Sequence, residues 1–322
     1  MKTRVSEVLL STAASTAIAA PAVRSWLRRR NTFDLPNDRS SHTVPTPRGG
    51  GLACAVGATC GALTAAAVGR PPSFSWVVVS AALGGVGRAD DLVGLSAVPR
   101  LGSQAVFGAF VGARAGGLLG SILGAVTLPA IVNAFNFMDG INGISGGTAA
   151  AWGLCVAADD LQTAQTRTHG YLAAGMGLGF LPFNVPVASM FLGDIGSYLI
   201  GAGIAVSVVE SGFAEGRPSK TAVARTLAPL VPYLADTGTT ILRRALRGEV
   251  LFVAHREHAY QRFTTVTGWD HWKVAFLTTC VATACGVASR SRAGGAMIIP
   301  LVGSYLLAPT VAQAWAASSL EP

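Results

Sequence analysis

Four aspartates stand at the ends of apolar segments in this chain: Asp90 and Asp91 close one, Asp139 follows a second and Asp194 opens a third. Adjacent carboxylates repel each other unless a cation lies close, so the Asp90-Asp91 pair is either a helix end facing water or part of a charged site. Amides gather around the other two. Asn133, Asn136 and Asn142 bracket Asp139, and Asn184 precedes Asp194. Carboxylates with amides make a hard oxygen-donor set, which suits Mg²⁺, with Mn²⁺ as an allowed substitute; Mg²⁺ keeps waters and takes substrate phosphates. Cations complete the constellation: Arg48, and then His255, Arg256, His258 and Arg262 in the long basic stretch 243–271. A divalent ion with arginines and histidines points to phosphoryl chemistry. Gly49, Gly50 and Gly51, Gly140 and Gly143, and Gly193 and Gly196 adjoin these groups. They permit close backbone approach to a ligand, a weak sign in a glycine-rich chain. There is no Walker A motif and no G-x-G-x-x-G fingerprint.

The elements that must position these groups follow from composition. Of the 322 residues, 51% are hydrophobic and 12% charged, where a globular domain carries about 25% charged. Mean hydropathy is +0.48. So few charges cannot cover a soluble surface. Disorder, a nucleic-acid-binding arm and an ordinary soluble enzyme are excluded. The expectation is an all-α, polytopic integral membrane protein, one domain over residues 1–322, with about 10–11 transmembrane helices. Apolar runs predict helices near 5–27, 49–69, 73–88, 100–115, 117–137, 142–158, 168–183, 193–213, 220–242, 272–290 and 294–316.

Alternating spans put the loops near 28–48, 88–100, 136–142, 184–194 and 243–271 on one side. The chemistry-bearing residues fall in those loops. That side also carries Arg24, Arg28, Arg29, Arg30, Arg243, Arg244 and Arg247, which marks it as cytoplasmic. The arginines after the first apolar run favour a retained helix over a cleaved signal peptide. Cationic loops beside anionic lipid account for the net charge of +8 without a nucleic-acid partner. Cys54, Cys60, Cys155, Cys280 and Cys285 form no C-x-x-C and read as small packing residues. Ionisable groups at membrane depth are costly and usually functional, so their convergence implies one site at the cytoplasmic boundary of an inner or plasma membrane.

At these residues the chain resembles the polyprenyl-phosphate N-acetylhexosamine-1-phosphate transferases, the MraY/WecA family. The matching strings are Pro36-Asn37-Asp38-Arg39 with His42 and PTPRGGG at 45–51, ADDLVGLSAVPRL at 89–101, NAFNFMDGINGISGG at 133–147, FLPFN at 180–184, MFLGDIGS at 190–197, and ADTGTTILRRALRGE at 235–249 with HREHAYQRF at 255–263. They span residues 36–263 in family order. The resemblance implies transfer of a sugar 1-phosphate from a UDP-sugar to a polyprenyl phosphate, with release of UMP, Mg²⁺ as cofactor and room for a homodimer.

Carried over residue by residue, the resemblance makes Asp194 the Mg²⁺ ligand. Asp90 and Asp91 become the pair that positions or deprotonates the acceptor phosphate and helps hold the metal. Asp139 and Phe191 match uracil-recognising positions, and Asn133 and Asn184 match the nucleotide site, with Asn136 beside them. His255 and His258 match the loop histidines; with Arg256 and Arg262 they are expected to clamp the donor diphosphate, the competing readings being a zinc-binding pair and a solvated basic loop, and Arg48 is expected among the substrate-binding residues. Ordinary packing for Phe191 and interhelical hydrogen bonding for Asn133 and Asn136 are the competing structural readings.

Two departures matter. Asn142 stands where many bacterial members carry a second acidic residue, and His255-Arg256-Glu257-His258 lacks the tighter histidine motif. HREHAYQRF looks closer to the branch that starts surface polysaccharides than to the peptidoglycan translocase. A transporter would instead place ionisable groups near the midplane, between inverted repeats. An inactive scaffold would not need Asp90, Asp91 and Asp194 intact.

Overall fold

The computed structural model describes residues 3–36, 42–213, 218–250 and 256–318. His255, and Asn37, Asp38 and Arg39 of the first motif, lie outside the described residues. The helices are α1 (Thr3–Arg29), α2 (Gly51–Ala67), α3 (Phe74–Val93), α4 (Ala97–Met138), α5 (Ile144–Ala157), α6 (Ala164–Phe180), α7 (Gly193–Ser211), α8 (Lys220–Leu227), α9 (Val231–Leu246), α10 (Ala259–Thr267), α11 (His271–Ala288) and α12 (Gly294–Ser318). Two short strands, β1 (Phe33–Asp34) and β2 (Thr46–Pro47), pair antiparallel between α1 and α2.

The expected break near residue 116 falls where the sequence places it. Gly116 (φ −146°, ψ 27°) and Gly117 (φ 60°, ψ −142°) leave helical geometry inside α4. Its two arms, 97–115 and 118–138, fold back on each other. A Cβ on Gly108 or Gly112 of the first arm would strike the backbone of Gly124 or Gly120 of the second. Small residues let the arms approach this closely. The expected single helix over 220–242 is instead α8, a 3₁₀ turn at Ala228–Leu230 and α9. Pro229 and Pro232 explain the break, since proline supplies no N–H and crowds the preceding turn. The basic stretch 243–271, expected as a loop, contains α10.

α7 is buried along nearly its whole length and packs against α2, α3, α4 and α6. α1 lies on α2 and α6, and α5 on α6 and α11. Ile18, Val98, Leu118 and Ile299 project from α1, α4 and α12 as exposed apolar side chains. Among the described residues, four helices are long and apolar enough to cross a membrane: Ser6–Arg29 of α1, α4, α7 and α12; α2 and α5 are shorter apolar helices. The protein is an all-α polytopic membrane protein; helices satisfy their backbone polar groups internally, as a bilayer requires.

Two loops are pressed together at one end of α7. Gly49 (φ +115°) and Gly193 (φ +74°) both adopt backbone that disfavours a side chain. A Cβ on Gly193 would lie 2.9 Å from both Asp91 Oδ2 and Gly49 N. The glycines therefore allow segment 47–51 to lie on segment 191–194, where Gly49 and Gly50 donate to Phe191 O and Gly51 donates to Leu192 O.

Candidate active site

Arg48 links the aspartates. The β1–β2 pair carries it to the end of α7, where its Nε lies 2.9 Å from Asp91 Oδ1 and its Nη2 2.9 Å from Asp194 Oδ2. Burial alone would weaken its charge, but the carboxylates of Asp194, Asp91 and Asp34 outweigh that and hold its pKa above the ordinary value.

The Asp91 side chain is fully buried and caps α7. Its Oδ1 accepts from Asp194 N at 2.9 Å and its Oδ2 from Ile195 N at 3.1 Å. A helix start leaves such N–H groups without intrahelical partners, and a carboxylate there also meets the positive end of the dipole. Asp194 sits in the first turn of the same helix. Its Oδ1 accepts from Asn136 Nδ2 at 2.8 Å, and Asn136 also donates to Ser197 Oγ at 3.0 Å. Of Asp90, Asp91 and Asp194, the last has the most accessible side chain, at 17%.

Asp90 turns elsewhere. It pairs with Arg100 at 2.8 Å, accepts from Leu95 N at 2.7 Å and meets the Tyr198 hydroxyl at 3.4 Å. The two adjacent aspartates thus have different cationic partners, which answers the repulsion that their sequence implies. Asp90, Asp91 and Asp194 do not close around a common point, and the described residues hold no convergent group of three or more His, Cys, Asp or Glu side chains.

Asp139 follows α4 and remains partly accessible. Burial by the surrounding protein pushes its carboxyl up to about 7. Asn184 is buried and ties two loops together, accepting from Gly143 N at 2.6 Å and donating to Met190 O at 3.2 Å. Phe191 meets His42 edge-on, with ring centroids 4.8 Å apart. Asn142 donates to Pro186 O at 3.2 Å.

Other expected residues lie apart from this cradle. Asn133 donates to Gln104 Oε1 at 2.6 Å across the arms of α4 and to Pro129 O, the interhelical bond that its competing reading describes. Arg262 reaches Thr310 Oγ1 of α12 at 3.4 Å. Arg256 is exposed and acts electrostatically on His271 at the start of α11. His258 is buried; its Nδ1 lies 3.2 Å from Asp236 Oδ1 and its ring stacks on Tyr260.

Asp236 is the group that the sequence reading passed over. It is fully buried, accepts from Ala259 N and Tyr260 N at the start of α10, and meets the Tyr305 hydroxyl. A lone acid in the amphipathic α9 segment was the available signal. Tyr260 then donates to Phe137 O at 3.2 Å, which brings α10 alongside the Asp139 turn.

Comparison with known proteins supplies the family. Residues 73–212 match the family described as Glycosyl transferase family 4. The decaprenyl-phosphate N-acetylglucosaminephosphotransferase of Mycobacterium tuberculosis is 29% identical over 83% of this chain and 77% of its own length. The phospho-N-acetylmuramoyl-pentapeptide-transferase of Moorella thermoacetica is 30% identical over 61% of this chain and 72% of its own. The undecaprenyl-phosphate alpha-N-acetylglucosaminyl 1-phosphate transferase of Thermotoga maritima is 29% identical over 57% and 58%. The chain belongs to the polyprenyl-phosphate hexosamine-1-phosphate transferase family.

Proposed function

We propose that this membrane enzyme moves an N-acetylhexosamine 1-phosphate from a UDP-sugar to a polyprenyl phosphate at the cytoplasmic face of the cell membrane. The observation that carries the reading is the Arg48–Asp91–Asp194 cradle at the start of α7, in a chain whose relatives are named for such transfers. In the reaction an acceptor phosphate oxygen bonds to the β-phosphorus of the donor, the bond from that phosphorus to the bridging oxygen breaks, and UMP leaves. One phosphoanhydride replaces another. A phosphate monoester has a second pKa of about 6, so the acceptor is largely dianionic near neutrality and needs little help from a base. The main barrier is the meeting of two anions.

The donor set fits Mg²⁺. Two carboxylates face one guanidinium in the cradle, leaving net negative charge, and Asp194 is the accessible carboxylate. Mg²⁺ commonly takes only one or two protein carboxylates, the rest of its shell being water and substrate phosphate. Asp194 would hold it, oriented by Asn136, and the ion would supply charge neutralisation between the two phosphates. Arg48 keeps Asp194 in place, and Asp91 fixes the first turn of α7 against α3. Asp139, with Phe191, is assigned to the uracil, its carboxylate accepting the N3–H of the base.

For the acceptor, an apolar cavity of about 360 Å³ between α4 and α9 suits an isoprenoid chain; Leu101, Pro129, Phe137, Leu234 and Ile241 line it. Arg100, paired with Asp90, stands in the same wall and is the cation nearest an acceptor phosphate seated there. Convergence of the acidic groups at one end of the bundle favours a transferase over a transporter.

The test uses membranes containing the protein, a panel of radiolabelled UDP-sugars beginning with UDP-N-acetylglucosamine, polyprenyl phosphate and Mg²⁺. UMP and lipid-linked sugar should form in equal amounts and stop with EDTA. Transport of the UDP-sugar without lipid-linked product would overturn the reading.

A further inference from the structure

Beside the cradle lies a cationic cluster to which the reaction as written above assigns no role. Two residues beyond α1, Asn31 adopts φ 51°, and Thr32 N closes the turn on Leu27 O at 3.0 Å. This left-handed stop fixes Trp26 and Arg30 at the end of a helix long enough to span a bilayer. Arg88 approaches from α3. Its guanidinium lies 5.4 Å from the Trp26 ring centroid, and that of Arg30 lies 5.9 Å from it.

Three observations mark this cluster as a binding site. Arg88 Nη1 is buried yet finds no hydrogen-bond acceptor among the described residues. A buried guanidinium N–H left unmet is costly, so an external acceptor is favoured. None of Arg24, Arg28, Arg29, Arg30 and Arg88 forms an ion pair with a carboxylate among the described residues. Trp26 is 41% exposed at a helix end, where an amphipathic ring sits at headgroup level. The cluster adjoins the phosphate-handling end of the molecule: a Cβ on Gly49, next to Arg48, would lie 3.3 Å from both Arg88 Nη1 and Leu27 Cδ2.

We propose that Trp26, Arg30 and Arg88 form a binding site for a lipid-borne phosphate at the membrane–water boundary. Phosphate oxygens supply the acceptor that Arg88 Nη1 lacks and counter the charge of Arg30, and the indole packs against the glycerol or isoprenoid stem. Two lipids carry this chemistry: an anionic phospholipid, and the polyprenyl phosphate acceptor. Only the second arm rests on the function proposed above.

The experiment titrates the purified full chain in neutral detergent with dioleoyl phosphatidylglycerol, polyprenyl monophosphate, dioleoyl phosphatidylcholine and inorganic phosphate, counting bound lipid by native mass spectrometry. Arg88→Gln and Arg30→Gln should each weaken binding of one anionic lipid about tenfold, with Arg88→Lys intermediate. Arg114→Gln, in α4 and stacked on Phe74 at the far end of α3, should change nothing. If phosphatidylglycerol binding is lost, a bulk phospholipid is the occupant. If polyprenyl monophosphate binding is lost and the acceptor KM rises, the acceptor is. Arg30 is exposed, so Arg30→Gln decides the matter should Arg88→Gln fail to fold. Unchanged affinity for both anionic lipids in Arg30→Gln and Arg88→Gln overturns the site. Arg88-dependent binding of inorganic phosphate as tight as that of either lipid overturns its assignment to lipid.

Discussion

Asp194 and Asp91 share one arginine, yet their surroundings give them different consequences when changed. Asp194→Asn keeps the shape but removes the charge that would hold Mg²⁺, and loss of one electrostatic stabiliser of this kind costs about 100- to 1000-fold in kcat. Turnover should fall at least that far with the protein still folded; near-wild-type rates at limiting Mg²⁺ would refute the assignment. Asp91→Asn should instead lower stability by about 1–3 kcal/mol, read by thermal denaturation, because an amide cannot accept both α7 N–H groups and deprives Arg48 of a partner. Asp139 gives a pH signature. Burial raises its folded pKa to about 7, above the roughly 3.9 of an unfolded aspartate. Its stabilising contribution is therefore complete below about pH 4 and is lost as pH rises through about 7. Donor binding runs the other way if the carboxylate accepts the base N–H. KM for UDP-N-acetylglucosamine should fall as pH rises past about 7, and Asp139→Asn should flatten that profile. These residues were legible in the sequence because a carboxylate in an apolar chain is conspicuous. Their partners were not. Each helical residue turns about 100° from the last, which sends Asp90 to Arg100 and Asp91 to Arg48.

At the scale of elements, hydropathy found the long helices and even the glycine break in α4, because apolar runs and glycine pairs are local signals. It did not find α10, a short helix in a polar stretch whose start, at His258 and Ala259, stands on Asp236 from another part of the chain. The α8–α9 break was missed because apolar content continues across Pro229 and Pro232. Close helix approach was equally hidden, since a glycine contact depends on the partner. Gly87 of α3 is such a contact: a Cβ there would strike the backbone of Asp194. Gly85, two residues earlier, has nothing within 4 Å. Gly87→Ala should push α3 off α7 and disturb both Asp91 caps, lowering the melting temperature and activity together, while Gly85→Ala should leave both near wild type. Equal tolerance of the two substitutions, measured by thermal denaturation and sugar transfer, would mean that the α3–α7 contact can relax freely.

Across the whole molecule, the cradle, the Asp90–Arg100 pair, the Asp139 turn and the start of α10 converge around one end of the buried α7, although their residues are scattered from 48 to 260. A UDP-sugar is a cytoplasmic metabolite, so that end must face inward for the proposed reaction to run. The charge pattern predicts the same orientation: Arg28, Arg29 and Arg30 close α1 at this end, and Arg243, Arg244 and Arg247 close α9. The opposite end is reached by following α7 to Ser211 and α11 to Ala288, after which the chain passes through Lys220 and Ser291. Single cysteines at Arg29, Arg247, Lys220 and Ser291, all exposed positions, test this in a cysteine-free background. In intact cells an impermeant maleimide should label positions 220 and 291 and spare 29 and 247; after permeabilisation all four should react. Labelling of position 247 from outside would put the cradle on the far side of the membrane from its donor, and the transfer reaction could not then proceed by the route proposed.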